Sequence, residues 1–358
     1  MKISRSTYSQ IFRGCTLLAG FILASAPLQA EAPDQSSLQV YFVDVEGGQA
    51  TLFVTPSHES LLIDTGWPGN AGRDADRIVA VAHRAGLSRI DYVLLTHYHD
   101  DHVGGVPQLV SKIPVGTFID HGPNRELDHG VTQHGYDAYQ DLLSKGSFKR
   151  LEAHVGEVLP IRGMQVRVIS ADGKTLQQSL AGAGQPNTFC ASTEVRPPDQ
   201  TENARSLGVE ITFGKLRLLD LGDLTWDKER QLMCPSNRLG HVDVLVVSHH
   251  GWYQSSSPAL VDAITPRVAV MDNGATKGGS IPTFETLAHD PGLQTLWQLH
   301  SSEEGGAAHN SADAFIANLH GPDSGHFLEL TGRPDGSFSI RNDRTGDTKS
   351  YPESKSGQ

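Results

Sequence analysis

The sequence predicts an α/β domain in which two β-sheets pack together and helices cover their outer faces. Strand patterns come in runs, helical patterns lie between them, and this order repeats in two similar halves. The 37 glycines and 19 prolines among 358 residues favour many turns over a long helical bundle. The 38% hydrophobic and 20% charged residues exclude collagen-like, fully disordered and polytopic membrane proteins.

The N-terminus has the pattern of a secretory signal peptide. A basic segment precedes an apolar run over residues 17–24, and small residues lead up to Ala30. We expect residues 1–30 to be cleaved, which predicts a periplasmic or secreted protein without a stable membrane span. An uncleaved membrane anchor is the alternative.

Charge and cysteine content bear on partners and compartment. Lys and Arg total 29 against 41 Asp and Glu, a net charge of −12, which disfavours tight binding of long nucleic acid. Cys190 and Cys234 could pair in an oxidising compartment, but the sequence does not show whether they lie close enough. With 17 histidines beside 3 cysteines, a metal site would be built from imidazole and carboxylate.

We expect one domain over residues 31–346. Its first half begins as a β-meander and continues with alternating helices and strands. Alternation and β-branched or aromatic residues predict the strands, and helical spacing of apolar residues with a stop at Gly86 predicts the first helix. The predicted strands are 38–45, 50–54, 60–64, 90–96 and 115–120, with helices around 74–85 and 103–111.

The second half resumes the strand pattern after a long irregular segment. Residues 172–206 are rich in Gly, Gln, Ser, Thr and Pro without periodicity, which predicts a loop insertion. Gly214-Lys215 indicates a hairpin turn. The predicted strands are 165–170, 207–213, 216–221, 242–248, 268–271, 296–299 and 326–330, with a short helix at 283–287 and a last hairpin near 338–341. We expect residues 347–358 to form a flexible tail.

The most informative motif follows the buried strand that ends at Thr96. It reads His97-Tyr98-His99-Asp100-Asp101-His102 and places four metal-capable side chains on one strand–helix turn. These are more ligands than one closed structural zinc site needs, so the motif predicts a two-metal site. The alternative is a solvated polar loop.

These residues resemble the metallo-β-lactamase superfamily. His97, His99, Asp101 and His102 match the family pattern His-x-His-x-Asp-His. Asp64-Thr65-Gly66, Gly222-Asp223 and the His-His-Gly triplet at 249–251 are similar to its other motifs, in the same order. The resemblance implies a four-layer αββα sandwich and a hydrolase that uses two divalent ions, Zn²⁺ first, with Mn²⁺ or Fe²⁺ as alternatives.

Within that family, the chain looks most like DNA-uptake channel proteins of the ComEC/Rec2 type. The segments 43–50 and 203–207 are similar to theirs, although Ala50 stands where those relatives usually carry an acidic residue. That group typically lacks the middle histidine ligand, and none lies just upstream of the hairpin that begins at Leu207. His154 and His121 are fallback ligands on residue chemistry alone.

The resemblance implies a role for each candidate residue. Asp223 would bridge the ions, and either histidine of the 249–250 pair could be a ligand. We favour His250, with His249 as a substrate-facing proton donor and Asp101 also catalytic. Lys277 is most simply a surface lysine. The predicted ligands are His97, His99, Asp101, His102, Asp223 and His250, and the supporting or substrate-facing residues are Asp64, His121, Asn203 and Ser206.

The predicted activity is hydrolysis by a metal-bound hydroxide that attacks a carbonyl carbon or a phosphorus. The resemblance favours a phosphodiester, and a small phosphoester or another ester stays open. A lactonase or β-lactam hydrolase is one alternative. The other is a DNA-uptake accessory or binding protein with little catalysis, which would bind single strands with steep salt dependence.

Overall fold

A computed structural model describes residues 36–126, 130–146, 148–321 and 323–353. The predicted signal peptide lies outside the described residues. The strands, in chain order, are β1 (Leu38–Phe42), β2 (Thr51–Val54), β3 (Ser60–Ile63), β4 (Ile90–Leu94), β5 (Val115–Asp120), β6 (Lys149–Glu152), β7 (Gln165–Ala171), β8 (Lys174–Thr175), β9 (Gly208–Phe213), β10 (Leu216–Asp220), β11 (Val244–Val246), β12 (Val268–Met271), β13 (Thr295–His300), β14 (Ile316–Asn318), β15 (Leu328–Gly332), β16 (Phe338–Asn342) and β17 (Thr348–Tyr351).

The helices lie between these strands. They are α1 (Arg73–Arg84), α2 (Asp100–Val103), α3 (Val106–Val110), α4 (Gly130–Ser144), α5 (Trp226–Met233), α6 (Pro258–Ile264), α7 (Ile281–His289) and α8 (Gly306–His309). Within the described ranges, no helix is both long and apolar enough to cross a membrane.

Across the described residues, the strands form two sheets. The first has nine strands in the order β17-β16-β15-β1-β2-β3-β4-β5-β6, and the second has eight in the order β14-β13-β12-β11-β10-β9-β7-β8. Strands β3 to β6 run parallel, as do β10 to β14. Parallel neighbours end at the same edge of a sheet, so the loops after them come together.

Strand alternation sorts the apolar side chains into layers. Val40 and Phe42 of β1 belong to a core cluster that also contains Leu218 and Val270 of the second sheet, whereas Tyr41 belongs to a cluster with α1 and α3. A third cluster packs α5, α6 and α7 on the second sheet. The three clusters separate four layers, and the fold is the predicted αββα sandwich.

The region 172–206 is ordered by contacts with the second half of the chain. It contains β8 and two 3₁₀ turns, Thr188–Ala191 and Glu202–Arg205. Cys190 forms a disulfide with Cys234, which follows α5, and this settles the pairing that the sequence left open. The insertion is therefore irregular, but it is attached to the second sheet's helical layer.

One sequence prediction needs correction, and some elements were not predicted. The flexible tail from residue 347 is wrong for Thr348–Tyr351, because this segment pairs with β16 as β17 and buries Tyr351 in the core. The helices α4 and α5 were not predicted. Their sequences are rich in residues with weak helix propensity or in charged residues, so their apolar spacing is poor.

Candidate metal centre

The candidate residues follow the ends of parallel strands in both sheets. Asp64 follows β3, and the motif that starts at His97 follows β4. Asp223 comes after β10, and the His249-His250 pair comes after β11. The sandwich brings these four strand ends to one rim.

Two ligand clusters form there. The four-residue cluster consists of Asp101, His102, Asp223 and His250, each with one ligand atom within 4.8 Å of the others. All four side chains are buried. Such a set of two carboxylates and two imidazoles suits a divalent ion.

The three-residue cluster consists of His97, His99 and Asp223, again with ligand atoms within 4.8 Å of one another. Asp223 belongs to both clusters, as expected of a bridging carboxylate. The structure thus brings together all six residues that the sequence suggested as ligands. The atoms His97 Nε2 and Asp223 Oδ1 are buried and have no hydrogen-bond partner among the described residues.

Asp64 supports the four-residue cluster through its contact with His102. It adopts a left-handed backbone conformation, with φ of 59°, and its carboxylate accepts hydrogen bonds from the Thr96 backbone N–H and hydroxyl at 2.8 and 2.6 Å. Its Oδ2 lies 2.7 Å from His102 Nδ1. A carboxylate accepts only, so this contact keeps the His102 proton on Nδ1 and leaves Nε2 as a lone pair.

The arrangement around His102 Nε2 fits a metal ion. This lone pair faces His250 Nε2 at 3.2 Å, Asp223 Oδ2 at 3.3 Å and Asp101 Oδ2 at 3.4 Å. Carboxylate oxygens and an imidazole lone pair repel one another unless a proton or cation lies between them. The residues present therefore fit the divalent ion that the sequence motif predicts.

The local electrostatics favour positive charge in the four-residue cluster. Burial opposes protonation of His102, but the carboxylates of Asp223, Asp101 and Asp64 outweigh it and raise the pKa of His102 well above its ordinary value. Burial likewise opposes ionisation of Asp101 and Asp223. Nearby Lys277 and the histidines outweigh it, so the pKa of each carboxyl lies well below its ordinary value.

His249 lies at the edge of the centre, with Nε2 3.4 Å from Asp223 Oδ2. Its Nε2 also lies 3.4 Å from Asn203 Nδ2, and its Nδ1 lies 3.3 Å from Ser255 Oγ. Burial lowers the pKa of His249 to about 4, so the ring is neutral at pH 7. With the ring proton on Nδ1, Nε2 accepts from the Asn203 amide, whereas a proton on Nε2 is donated towards Asp223.

Of the other predicted supporting or substrate-facing residues, Ser206 contacts Asp223 and His121 contacts Glu202. Ser206 Oγ accepts the Asp223 backbone N–H at 3.2 Å. His121 is 2% exposed and its Nε2 lies 3.0 Å from Glu202 Oε2, and its supporting or substrate-facing role stays a prediction. Among the described residues, neither His121 nor exposed His154 belongs to a metal-capable cluster.

Three residues of the centre were missed by sequence reasoning or given another role. Glu126 Oε2 lies 3.2 Å from His99 Nε2, and no local pattern indicates this contact. Asp272 Oδ1 lies 3.4 Å from His250 Nδ1, and its position after buried β12 could have suggested it. Lys277 contacts Asp101, so it is not the simple surface lysine that the sequence favoured.

A cavity of about 210 Å³ opens beside the ligands. His249 and His250 form one side of it, and a lysine loop and an aromatic side chain form the rest. Its remaining lining residues are Trp252, Thr276, Lys277 and Gly278. A substrate entering here would meet the histidine pair and Lys277, which line the cavity.

A third group of metal-capable side chains, Asp44, Glu46 and His300, belongs to a network of ion pairs. Asp44 and His300 are buried, and their Oδ1 and Nε2 atoms lie 2.7 Å apart beside Glu46. Arg77 Nη1 donates to Asp44 Oδ2 at 2.9 Å. Arg77 also pairs with Asp323, so these side chains form an ion-pair network.

Comparison with known proteins gives a family and several relatives. The family model described as the metallo-beta-lactamase superfamily matches residues 43–177. The chain is 27% identical over 267 residues to competence protein ComA of Neisseria gonorrhoeae and 24% identical over 251 residues to recombination protein 2 of Haemophilus influenzae. These alignments cover 75% and 70% of the chain, but only 31% and 26% of the two relatives.

A third relative is similar over a shorter stretch. The chain is 35% identical over 101 residues to hydroxyacylglutathione hydrolase of Klebsiella pneumoniae, which covers 28% of the chain and 32% of that enzyme. The chain thus spans about a third or less of the length of each of these relatives.

Proposed function

The chain belongs to the metallo-β-lactamase superfamily, and from this premise we propose that it hydrolyses an ester, a phosphodiester first, at a centre for two divalent metal ions. The ions are Zn²⁺ in this proposal, with Mn²⁺ or Fe²⁺ as alternatives, because the ligands are imidazole and carboxylate without thiolate.

One observation carries this proposal: buried ligand atoms converge on a position where only a proton or a cation can offset their repulsion. The bond to Asp64 fixes the lone pair of His102 Nε2 towards His250, Asp101 and Asp223. The buried orphan atom of His97 supports a second position, which shares Asp223. Divalent ions bound there would act as Lewis acids and lower the pKa of water towards neutrality.

The residues of the chain then position substrate and move a proton. His249 lines the cavity and is neutral at pH 7, so its Nε2 can take a proton from the attacking water. The same nitrogen can then deliver that proton to the leaving oxygen, which modifies the predicted role of His249 as a simple donor. Asp101 and Asp223 hold their oxygens at the ligand positions, and the Asp223 backbone N–H donates to Ser206 Oγ.

The choice of a phosphodiester rests on two supports. The resemblance to proteins of the ComEC/Rec2 type favours a phosphodiester, and competence protein ComA and recombination protein 2 are similar over most of the chain. The cavity also carries the ammonium of Lys277, which would attract an anionic substrate. A lactone or a β-lactam is the alternative within the same chemistry.

The test combines metal analysis with a screen of chromogenic substrates. We expect the wild type to hold metal and to hydrolyse bis(4-nitrophenyl) phosphate faster than 4-nitrophenyl acetate, a lactone or a chromogenic cephalosporin. His99→Ala and Asp223→Asn should lose metal and at least about 100-fold of the activity together. His154→Ala is the matched control, because it removes an exposed histidine outside the clusters.

Full turnover in either ligand variant would contradict the site assignment. A metal-replete wild type that leaves every substrate intact would instead favour a binding protein. The similarity to competence protein ComA supports that second candidate, a DNA-uptake accessory. It requires single-stranded DNA binding with steep salt dependence, which the net charge of −12 disfavours.

We also propose a periplasmic or secreted location. The signal-like pattern of residues 1–30 supports it, and so does the Cys190–Cys234 disulfide, because such bonds persist in oxidising compartments. Alkaline phosphatase fusions after residues 30 and 60 should both be active in a bacterial host. Inactive alkaline phosphatase in both fusions would contradict this proposal.

A further inference from the structure

The loop that carries Lys277 is packed tightly against the candidate centre. It joins β12 to α7, and the Gly279 N–H donates to the His250 carbonyl at 2.8 Å. Gly278 has φ of 73°, and a Cβ there would lie 2.0 Å from the same carbonyl oxygen. On the other side, a Cβ at Gly47 would lie 2.9 Å from the Lys277 Cβ. These close approaches fix the lysine backbone beside His250.

The ammonium of Lys277 contacts three groups. It contacts Asp101 Oδ2, donates to the Gly47 carbonyl at 2.7 Å, and lies 5.1 Å from the centre of the Trp67 ring. A carboxylate, a carbonyl and an aromatic face are the partners that an ammonium prefers. Since 36% of the side chain is exposed, it reaches into the centre from the cavity side.

The ammonium uses the same oxygen that the four-residue cluster offers to a metal ion. Asp101 Oδ2 lies 3.1 Å from His250 Nε2 and 3.4 Å from His102 Nε2. A divalent ion bound by these atoms would therefore lie close to a fixed positive charge. In a site from which water is largely excluded, that repulsion is weakly screened.

We propose that Lys277 competes with a divalent ion for Asp101. Its ammonium is the counterion of the four-residue cluster when no ion is bound there, and it weakens the binding of an ion at that position. Among the described residues, no lysine pairs with the three-residue cluster, so the chain would hold its two ions with unequal affinity. This inference rests on the proposed two-ion centre, which it deepens by naming what sets the occupancy of one position.

Zinc binding to metal-free protein tests the proposal without any substrate. The stepwise affinities are measured by competition with a chromogenic chelator, and the bound zinc is counted after desalting. We expect Lys277→Met and Lys277→Gln to bind the weaker ion at least about tenfold more tightly than the wild type, because each removes the charge. Lys277→Arg should behave as the wild type does. Lys112→Met is the matched control, since that partly exposed lysine pairs with Asp76 away from the centre.

A double variant places the effect at Asp101. Adding Asp101→Asn to Lys277→Met should abolish the gain, because the competition is for that carboxylate. The inference is overturned if the neutral variants, folded by circular dichroism, bind the weaker ion no more tightly than the wild type while both ions still bind. It is also overturned if the gain survives Asp101→Asn. If the wild type and all variants bind no zinc, the proposed centre falls and this inference falls with it.

Discussion

At the residue scale, one carboxylate decides which nitrogen of His102 faces the ligand position. Asp64 accepts from the Thr96 backbone and hydroxyl and from His102 Nδ1, so its orientation is fixed on three sides. The Nε2 lone pair of His102 is therefore a consequence of a residue that would not touch the metal. Support of this kind commonly changes metal affinity by one to two orders of magnitude.

Asp64→Asn should reverse this tautomer. Its amide oxygen can still accept the Thr96 N–H, but its NH₂ group would donate to His102 Nδ1 and move the ring proton to Nε2. We expect at least about tenfold weaker zinc binding with the fold retained, measured by chelator competition and by ¹⁵N shifts of the His102 ring. Asp91→Asn is the control, because Asp91 also accepts a backbone N–H and a hydroxyl, those of Ser60. Unchanged affinity in Asp64→Asn would refute the tautomer assignment.

The sequence could predict the ligands better than their support. His97 to His102 lie within six residues, and Asp223 and the histidine pair follow recognisable strand ends, so the short-range pattern is sufficient. Glu126 and Lys277 act across long sequence separations. Their contacts exist only after two loops pack together, and no local pattern encodes that packing.

At the scale of elements, α5 carries a buried carboxylate that holds the start of α6. Glu229 accepts the backbone N–H groups of Ser256 and Ser257 at 2.6 and 2.7 Å, at the N-terminal end of α6. These donors would otherwise lack a partner, and the carboxylate also suits the helix dipole. Burial nevertheless dominates and raises the pKa of Glu229 from 4.5 to about 7.

This shift predicts a pH dependence of stability. Between pH 4.5 and 7 the folded chain keeps a proton that the unfolded chain has lost, so the Glu229 contribution to stability falls as pH rises, by at most about 3 kcal/mol. Glu229→Gln resembles the protonated form and should lack this loss. Urea unfolding of metal-free protein at pH 5 to 8 should show the wild type losing more stability than the variant. Parallel profiles would contradict this, and Glu285→Gln, at an exposed position of α7, is the control.

Elements with strong apolar patterns were predictable and weakly patterned ones were not. The paired strands β9 and β10 match the predicted hairpin because their side chains alternate around Gly214-Lys215. The helix α4 is stabilised by tertiary packing, where Tyr139 is buried against Phe118, more than by its own sequence. The edge strand β17 has exposed polar residues, so its pairing partner determines its conformation.

At the scale of the whole molecule, the disulfide joins an irregular segment to the rest of the fold. Cys190 and Cys234 are separated by 44 positions, and the bond links the insertion to the end of α5. The packing of Arg196 on Trp226, 3.4 Å from the ring centre, attaches the same segment nearby. A loop closed in this way loses fewer conformations when it folds.

Removing the bond should lower global stability. We expect the double variant Cys190→Ala/Cys234→Ala to lose about 2–4 kcal/mol in urea unfolding, because the unfolded chain gains entropy. A reductant should bring the wild type to the level of the variant and leave the variant unchanged. Equal stability of the oxidised wild type and the variant would show that this bond contributes nothing to the folded state.

The centre draws its ligands from both halves of the sandwich. The motif from His97 to His102 follows the first sheet, whereas Asp223 and His250 follow strands of the second. A bound cation would therefore be coordinated by both halves of the sandwich and link them. Metal binding is then thermodynamically coupled to the packing of the two sheets. Zinc should therefore protect buried amides in both halves from hydrogen exchange.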